Sequence, residues 1–305
     1  MTLFIMKSKF SFSKGKKHAS SIIIRHTPKL DTERAKYPAL SEKIVQISDI
    51  ILEVLDARFI QETRNQEAEE MIKKLGKKLI YVFNKSDLID VKKMKAKEII
   101  SLTPRVFVSC ITKKGGKELR NKIKITSYNV EKPIDTKMKK VTVGIIGYPN
   151  TGKSSLINLL VGKPAAGIGA DAGFTHGIQK VNLTTGIVLL DSPGVISKKD
   201  YSDSNLESIS RHAKVGARSY SQIKNPEMVV SELVKEFPKL LDNFYKIDSE
   251  GDSEILIEKL GRKRGILKKG NEVDEDRTAR LVLKDWQEGK IRKWFFHDSF
   301  AINLS

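Results

Sequence analysis

One stretch limits this chain's fold more than any other: VTVGIIGYPNTGKSSLINLL, residues 141–160. A β-branched run ends in G-x-x-x-x-G-K-S from Gly147 to Ser154 and passes directly into a helical pattern. Strand, glycine-rich turn and helix start together form a phosphate cradle, with backbone amides turned inward and the helix's positive end aimed at the anion. Here Asn150, Thr151, Gly152, Lys153, Ser154 and Ser155 are the residues expected to surround the phosphates. Lys153 reaches the β- and γ-phosphates and Ser154 ligates Mg²⁺. A chance glycine-rich turn would lack the strand before it and the helix after it.

A phosphate loop does not choose a base, but NKSD, Asn84 to Asp87, can. It closes the apolar run KLIYVFN. Asn84 offers an amide to the O6/N7 edge of guanine, Asp87 accepts from N1–H and the exocyclic amine, and the stem of Lys85 packs over the ring. Adenine has no such donor pair. Asn-Lys-x-Asp also arises by chance in lysine-rich chains, and its placement at the carboxyl end of a strand, where α/β sheets bind ligands, is what favours the functional reading. VSC (Val108–Cys110) ends another strand on that edge, so the amides of Ser109 and Cys110 are expected at guanine O6; ordinary strand termination is the alternative. VLLDSPG places Asp191 to hold Mg²⁺ through water and Gly194 to sense the γ-phosphate. DAGFTHG supplies Thr175 as a second Mg²⁺ ligand, against the simpler reading of a loop threonine. Lys153, Thr175 and Gly194 are the expected catalytic group.

The order of these parts is unusual. The base reader precedes the phosphate loop by some sixty residues, whereas an ordinary nucleotide switch has the loop first. A circular permutation reconciles the two: old termini joined through the polar linker around Pro133, and new ones opened after the switch.

Periodicity agrees. DIILEVLD, KLIYVFN, RVFVSC and KVTVGIIG read as buried strands. TRNQEAEEMIKKLG, VKKMKAKEIISL, GKELRNKIKI and KSSLINLLVG read as helices between and after them. GIQKVNLTTGIVLLD reads as a hairpin about TTG. The expected fold is α/β, a mostly parallel six-stranded sheet with one antiparallel strand. From Tyr201 strand signals vanish, and PEMVVSELVKEFPKLLDNFYKI, SEILIEKLGRKRG and EDRTARLVLKDWQEGKI read as amphipathic helices. The expected division is a basic extension over 1–30, a permuted nucleotide-binding domain over 31–200 and a small all-α domain over 201–305.

Charge points to the partner. The 305 residues carry a formal net charge of +19, which draws polyanions and says little of fold. Seven Lys or Arg and no acid lie between Met1 and Leu30. Further clusters lie in TKKGGKELRNKIKI with the linker EKPIDTKMKK, and in EKLGRKRGILKKG. A solvated, lysine-rich surface is the plain reading of any one cluster; three in separate regions favour RNA. No apolar run approaches the ~20 residues that cross a bilayer, and the N-terminus does not read as a secretion signal. The single cysteine, Cys110, excludes an internal disulfide and suits a reducing, cytoplasmic setting.

On these residues the sequence resembles the circularly permuted ribosome-assembly GTPases of the YlqF/RbgA type, in their YawG-like archaeal and eukaryotic branch. DIILEVLDARFIQETRN carries the family's Asp-Ala-Arg stretch (Asp56, Ala57, Arg58), GYPNTGKSSLIN its phosphate loop, and RGILKKGNEVDEDRTARLVLKDWQEGKI its C-terminal helical domain. The resemblance implies GTP hydrolysis with Mg²⁺ and an rRNA or ribosomal-subunit partner, the large subunit first, without membrane or DNA and as a monomer. It implies that 31–200 is a GTPase domain and 201–305 an RNA-contacting domain. It also implies K⁺ held by Asn150, a residue that could equally serve only to shape the loop. Val195 stands where many switches carry a water-orienting glutamine, so slow intrinsic hydrolysis is expected. His18 and His26 lie too far upstream to match the bacterial members' N-terminal histidine. Two other classes compete: a GTP-dependent switch for protein effectors, and an RNA-binding module whose nucleotide site is structural. An effector switch has no need of the +19 charge, and rRNA-stimulated turnover would separate the first reading from the last.

Overall fold

The computed structural model describes residues 37–94, 99–130, 140–163, 178–192, 206–237 and 239–291. Helix α1 (Tyr37–Ile47) leads into β1 (Ile50–Asp56), a one-turn helix α2 (Ile60–Thr63), α3 (Gln66–Lys74) and β2 (Lys78–Asn84). After β3 (Arg105–Phe107) and α4 (Gly116–Tyr128) come β4 (Val141–Ile146), α5 (Lys153–Val161), β5 (Gln179–Thr184) and β6 (Ile187–Asp191).

The six strands form one sheet in the order β3-β2-β1-β4-β6-β5. All neighbours are parallel except the β5–β6 hairpin. The reason lies in the side chains. Every residue of β1 is buried, and apart from the first two residues of β2 and Thr142 of β4 so are those of β2 and β4, because helices cover both faces. β5 at the edge shows the exposed and half-buried alternation of a strand wet on one side. The β-strands meet α4 and α5 in one core built on Leu52, Val54, Val82, Val143 and Leu156, while α1 and α3 close the other face around Ile44, Ile51 and Ile72.

Among the described residues the remainder is helical: α6 (Leu206–Lys214), α7 (Pro226–Glu236), α8 (Leu240–Tyr245), α9 (Ser253–Arg264) and α10 (Glu275–Gln287). Its core gathers Val230, Leu233, Leu256, Leu260, Val282, Leu283 and Trp286, and also takes in Phe59 and Tyr148 from the sheet-bearing part. The helical unit is therefore packed onto the loops at the carboxyl ends of β1 and β4.

The expected α/β sheet, its single antiparallel strand and the helical remainder are all present. Two local expectations need correction, and a third is met in part. The helix anticipated over Val91–Leu102 shows a 3₁₀ turn over Val91–Lys93 and is helical again at Ile99, with 95–98 outside the described residues. The strand in RVFVSC is only three residues long and gives way to loop at Val108. The stretch Pro226–Ile247 holds two helices, Pro226–Glu236 and Leu240–Tyr245, with residue 238 outside the described residues. Helices α1 and α6 were not anticipated; α6 hides in a polar stretch, LESISRHAK.

Candidate nucleotide-binding site

Register brings the site together. Asp56 pairs across from Asn84, and Ile145 across from Asp191. The reader, the Asp-Ala-Arg stretch, the phosphate loop and the Asp191 strand end thus lie along one edge, at the carboxyl ends of β2, β1, β4 and β6.

The phosphate loop is built as its sequence predicts. Gly147 has φ 148°, and a Cβ there would stand 2.4 Å from the Val54 carbonyl oxygen. Gly152, at φ 94°, caps α5 in the left-handed region, and its Cβ would fall 2.3 Å from the Asn84 Nδ2. Neither position admits a side chain. Lys153 Nζ donates to the carbonyls of Gly147 (2.9 Å) and Tyr148 (2.7 Å), curled over the loop it would share with phosphate. Its burial lowers the ammonium to about 8, opposed by the Asp191 carboxylate.

Beside it, Ser154 Oγ donates to Asp191 Oδ2 at 3.0 Å. Asp191 Oδ1 is buried with no hydrogen-bond partner, and burial raises this carboxyl's pKa. A hydroxyl and a carboxylate with an unsatisfied buried oxygen are hard oxygen donors of the kind Mg²⁺ takes, so the residues present fit that ion. Thr175 and Gly194, and with them Val195, lie outside the described residues.

The reader is braced on three sides. Asn84 Nδ2 donates to the Thr151 carbonyl at 2.8 Å, tying the reader to the phosphate loop. Ser109 Oγ donates to Asp87 Oδ1 at 2.6 Å. The Cys110 thiol, which burial pushes up to about 11, stays protonated and donates to Asn84 Oδ1 at 3.3 Å. Sequence reasoning gave Ser109 and Cys110 only their backbone amides; the structure adds their side chains as supports. Lys85 sits at φ 60°, and its Nζ lies 2.8 Å from Asp56 Oδ2.

Asn150, also left-handed at φ 58°, turns its side-chain amide to the Gly216 carbonyl, 2.9 Å away. Its neighbour Tyr148 is 1% exposed within the helical unit's core. Two basic clusters are exposed on the surface: Lys113, Lys114, Lys117, Arg120 and Lys124 at and before α4, and Arg262, Lys263, Arg264, Lys268 and Lys269 at the end of α9. Among the described residues no helix is long and apolar enough to cross a membrane.

A parallel sheet with this loop at β4, this reader at β2 and this acid at β6 defines a P-loop nucleotide-binding domain in circularly permuted order. Over residues 142–253 the chain matches the family model MMR_HSR1, "50S ribosome-binding GTPase". It is 40% identical over 253 residues to the uncharacterized GTP-binding protein MJ1464 of Methanocaldococcus jannaschii, covering 82% of this chain and 64% of that protein. It is 36% identical to the guanine nucleotide-binding protein-like NSN1 of Arabidopsis thaliana, over 86% of this chain and 48% of that one. It is 35% identical to nucleolar GTP-binding protein 2 of Saccharomyces cerevisiae, over 83% and 51%. The chain thus spans under two thirds of the first and about half of the other two. Among solved structures, the GNP-bound YlqF of T. maritima shares the fold with a TM-score of 0.56 at 24% identity, over 84% of this chain and 95% of that one.

Proposed function

We propose that this chain binds GTP, hydrolyses it slowly to GDP and phosphate, and uses the change of nucleotide to time its stay on a ribosomal subunit, the large one first. The observation that carries the proposal is the 2.8 Å bond from Asn84 to the Thr151 carbonyl, which fuses a guanine-type reader to a phosphate loop. In this reading Asp87 accepts from guanine while Lys85 covers the ring. Lys153, Ser154 and Ser155 with the amides of Thr151 and Gly152 hold the phosphates. Ser154, Thr175 and Asp191 hold Mg²⁺, which when bound draws charge from the β- and γ-phosphate oxygens. Thr175 and Gly194 sense the γ-phosphate, and Asn150 contributes its carbonyl oxygen to a K⁺ site.

The partner rests on charge and kinship. Net +19 and two exposed basic clusters suit rRNA phosphates, and the matching family model and the nucleolar relatives bear ribosomal and nucleolar names. We assign 1–30 as a basic extension, 31–200 as the GTPase domain and 201–305 as the helical, RNA-contacting domain of a cytoplasmic monomer. The test is sedimentation of the protein with ribosomal subunits in a sucrose gradient. Co-migration with a subunit under a GTP analogue and release under GDP is expected; identical migration in both states contradicts the timing role.

A further inference from the structure

Asp56 and Arg58 carry none of the nucleotide contacts assigned above, yet Asp56 lies against the reader's Lys85. The Asp56 side chain is 0% exposed. One oxygen, Oδ2, meets both Lys85 Nζ and Arg58 Nη2 at 2.8 Å; the other, Oδ1, accepts from Arg58 Nε and from the Arg58 backbone N–H, each at 3.0 Å. Burial alone would raise this carboxyl, but the Lys85 and Arg58 cations hold it well below the usual carboxylate range. A buried anion shared by two cations fixes both of them, since moving either leaves an uncompensated charge behind.

Arg58 then reaches outward. Its remaining terminal nitrogen, Nη1, donates to the backbone carbonyl of Trp286 at the end of α10, 3.2 Å away and 228 residues later. The guanidinium also lies over the Phe59 ring at 5.2 Å, and that ring packs on the Trp286 indole with centroids 6.1 Å apart. A second contact joins the same two regions. Leu88, which closes the 3₁₀ turn carrying Asp87, lies so close to Gly289 that a Cβ there would be 2.6 Å from Leu88 Cδ1.

We propose that Asp56 and Arg58 are positioning residues of the guanine reader, and that through the Arg58–Trp286 bond the reader's grip on guanine and the seating of the helical unit depend on each other. The inference rests on the guanine reading of Asn84–Asp87 and needs neither RNA nor hydrolysis. Coupling of this kind is reciprocal: if a seated helical unit tightens the reader, guanine must seat the helical unit by the same factor. Lys85 is the reader residue that carries the effect, because its ammonium is held by the same carboxylate oxygen that holds Arg58.

Trp286 is a built-in probe. The chain's other tryptophan is Trp294, so Trp294→Phe leaves one indole, at the contact itself. Acrylamide quenching of Trp286 is measured with no nucleotide, with saturating GDP and with saturating ADP, and GDP binding is followed separately by equilibrium dialysis. GDP, and not ADP, is expected to lower the quenching constant. Arg58→Ala at saturating GDP should lose that response, and Arg58→Lys, which keeps the charge but not the fork, should lose it too. Asp56→Asn should weaken GDP binding by about tenfold or more through the released Lys85. Leu88→Ala, which leaves the ion network whole, serves if Arg58→Ala does not fold, and should reduce the response. A full GDP response in Arg58→Ala, or in Leu88→Ala where that variant is needed, overturns the coupling while leaving the reader intact. Equal binding of GDP and ADP by the unaltered chain overturns the reader, and the coupling with it.

Discussion

The Asn150 side chain, in the phosphate loop, donates to the carbonyl of Gly216 in the turn after α6, at 2.9 Å. Its nitrogen is thereby committed to the helical unit, and with it the face that its carbonyl oxygen presents. A monovalent cation at Oδ1 would therefore sit between the phosphates and the helical unit. Replacing Na⁺ with K⁺ at fixed ionic strength is expected to raise GTP hydrolysis, and Asn150→Ala to remove that rise while GTP affinity falls only a few-fold, since Lys153 and the loop amides remain. Phosphate-release assays in the two salts decide it: equal rates in Na⁺ and K⁺ for the unaltered chain remove the cation role.

Lys153 gives a proton-linked prediction. Its folded value is lowered to about 8 by burial, against an ordinary value near 10.5. With the folded state binding fewer protons than the unfolded one, stability of the nucleotide-free chain should rise with pH between those two values. Bound phosphate supplies the missing anion and pulls the value back up. GDP binding near pH 8 should then take up about half a proton. Calorimetry in buffers of different ionisation enthalpy measures this uptake, and Lys153→Met should abolish it.

Gly152 is where reader and loop nearly touch. A methyl group there would meet Asn84 Nδ2 at 2.3 Å, at a φ that L-residues avoid. Gly152→Ala should push Asn84 off the Thr151 carbonyl and lower GDP affinity by about tenfold or more, with a stability cost of about 1–3 kcal/mol. Fluorescent-GDP titration and urea unfolding read the two effects separately.

Glu53 lies mid-strand in β1, 0% exposed, away from the nucleotide edge. Burial, and then the Glu69 charge, raise its pKa well above the ordinary value, against the Asn65 N–H and Arg64. Tyr81, its register partner, also hydrogen-bonds Glu69. A raised folded value means that this group's contribution to stability is complete below its unfolded value and is lost as pH rises through the folded one. Glu53→Gln should flatten the decline in urea midpoint as pH rises above the ordinary carboxylate range; an unchanged slope would assign the decline elsewhere.

Much of this molecule is legible from its sequence because the informative features are local. Strands β1, β2 and β4 are continuous apolar runs, and a phosphate loop must have a strand before it and a helix after it. The permuted order could be read for the same reason: each motif names its strand end, whatever the order along the chain. What escaped was of two kinds. Helices α1 and α6 are short, eleven and nine residues, and the apolar stripe of α6 is only Leu206, Ile209 and Ala213 set among polar neighbours. The Asp56–Arg58–Trp286 chain and the burial of Tyr148 in the helical core join residues far apart in sequence, which no periodicity reports. The stretch Asp56–Ala57–Arg58 was visible as a motif, but its contact with Trp286 was not.

The central claim, that NKSD reads guanine on a permuted phosphate loop, is tested most directly by changing what Asp87 can accept. Asp87→Asn replaces an acceptor by a group that donates, while Ser109 at 2.6 Å can still hold the side chain in place. Xanthine has a carbonyl where guanine has its amine, so the variant should prefer XDP over GDP. With about 1–3 kcal/mol at stake for each mismatched bond, the ratio of affinities should move by about 10- to 100-fold from that of the unaltered chain. Competition of XDP and GDP against a fluorescent nucleotide measures that ratio in both proteins. A reversal of preference is the predicted result, and an unchanged preference for GDP in Asp87→Asn would contradict the account.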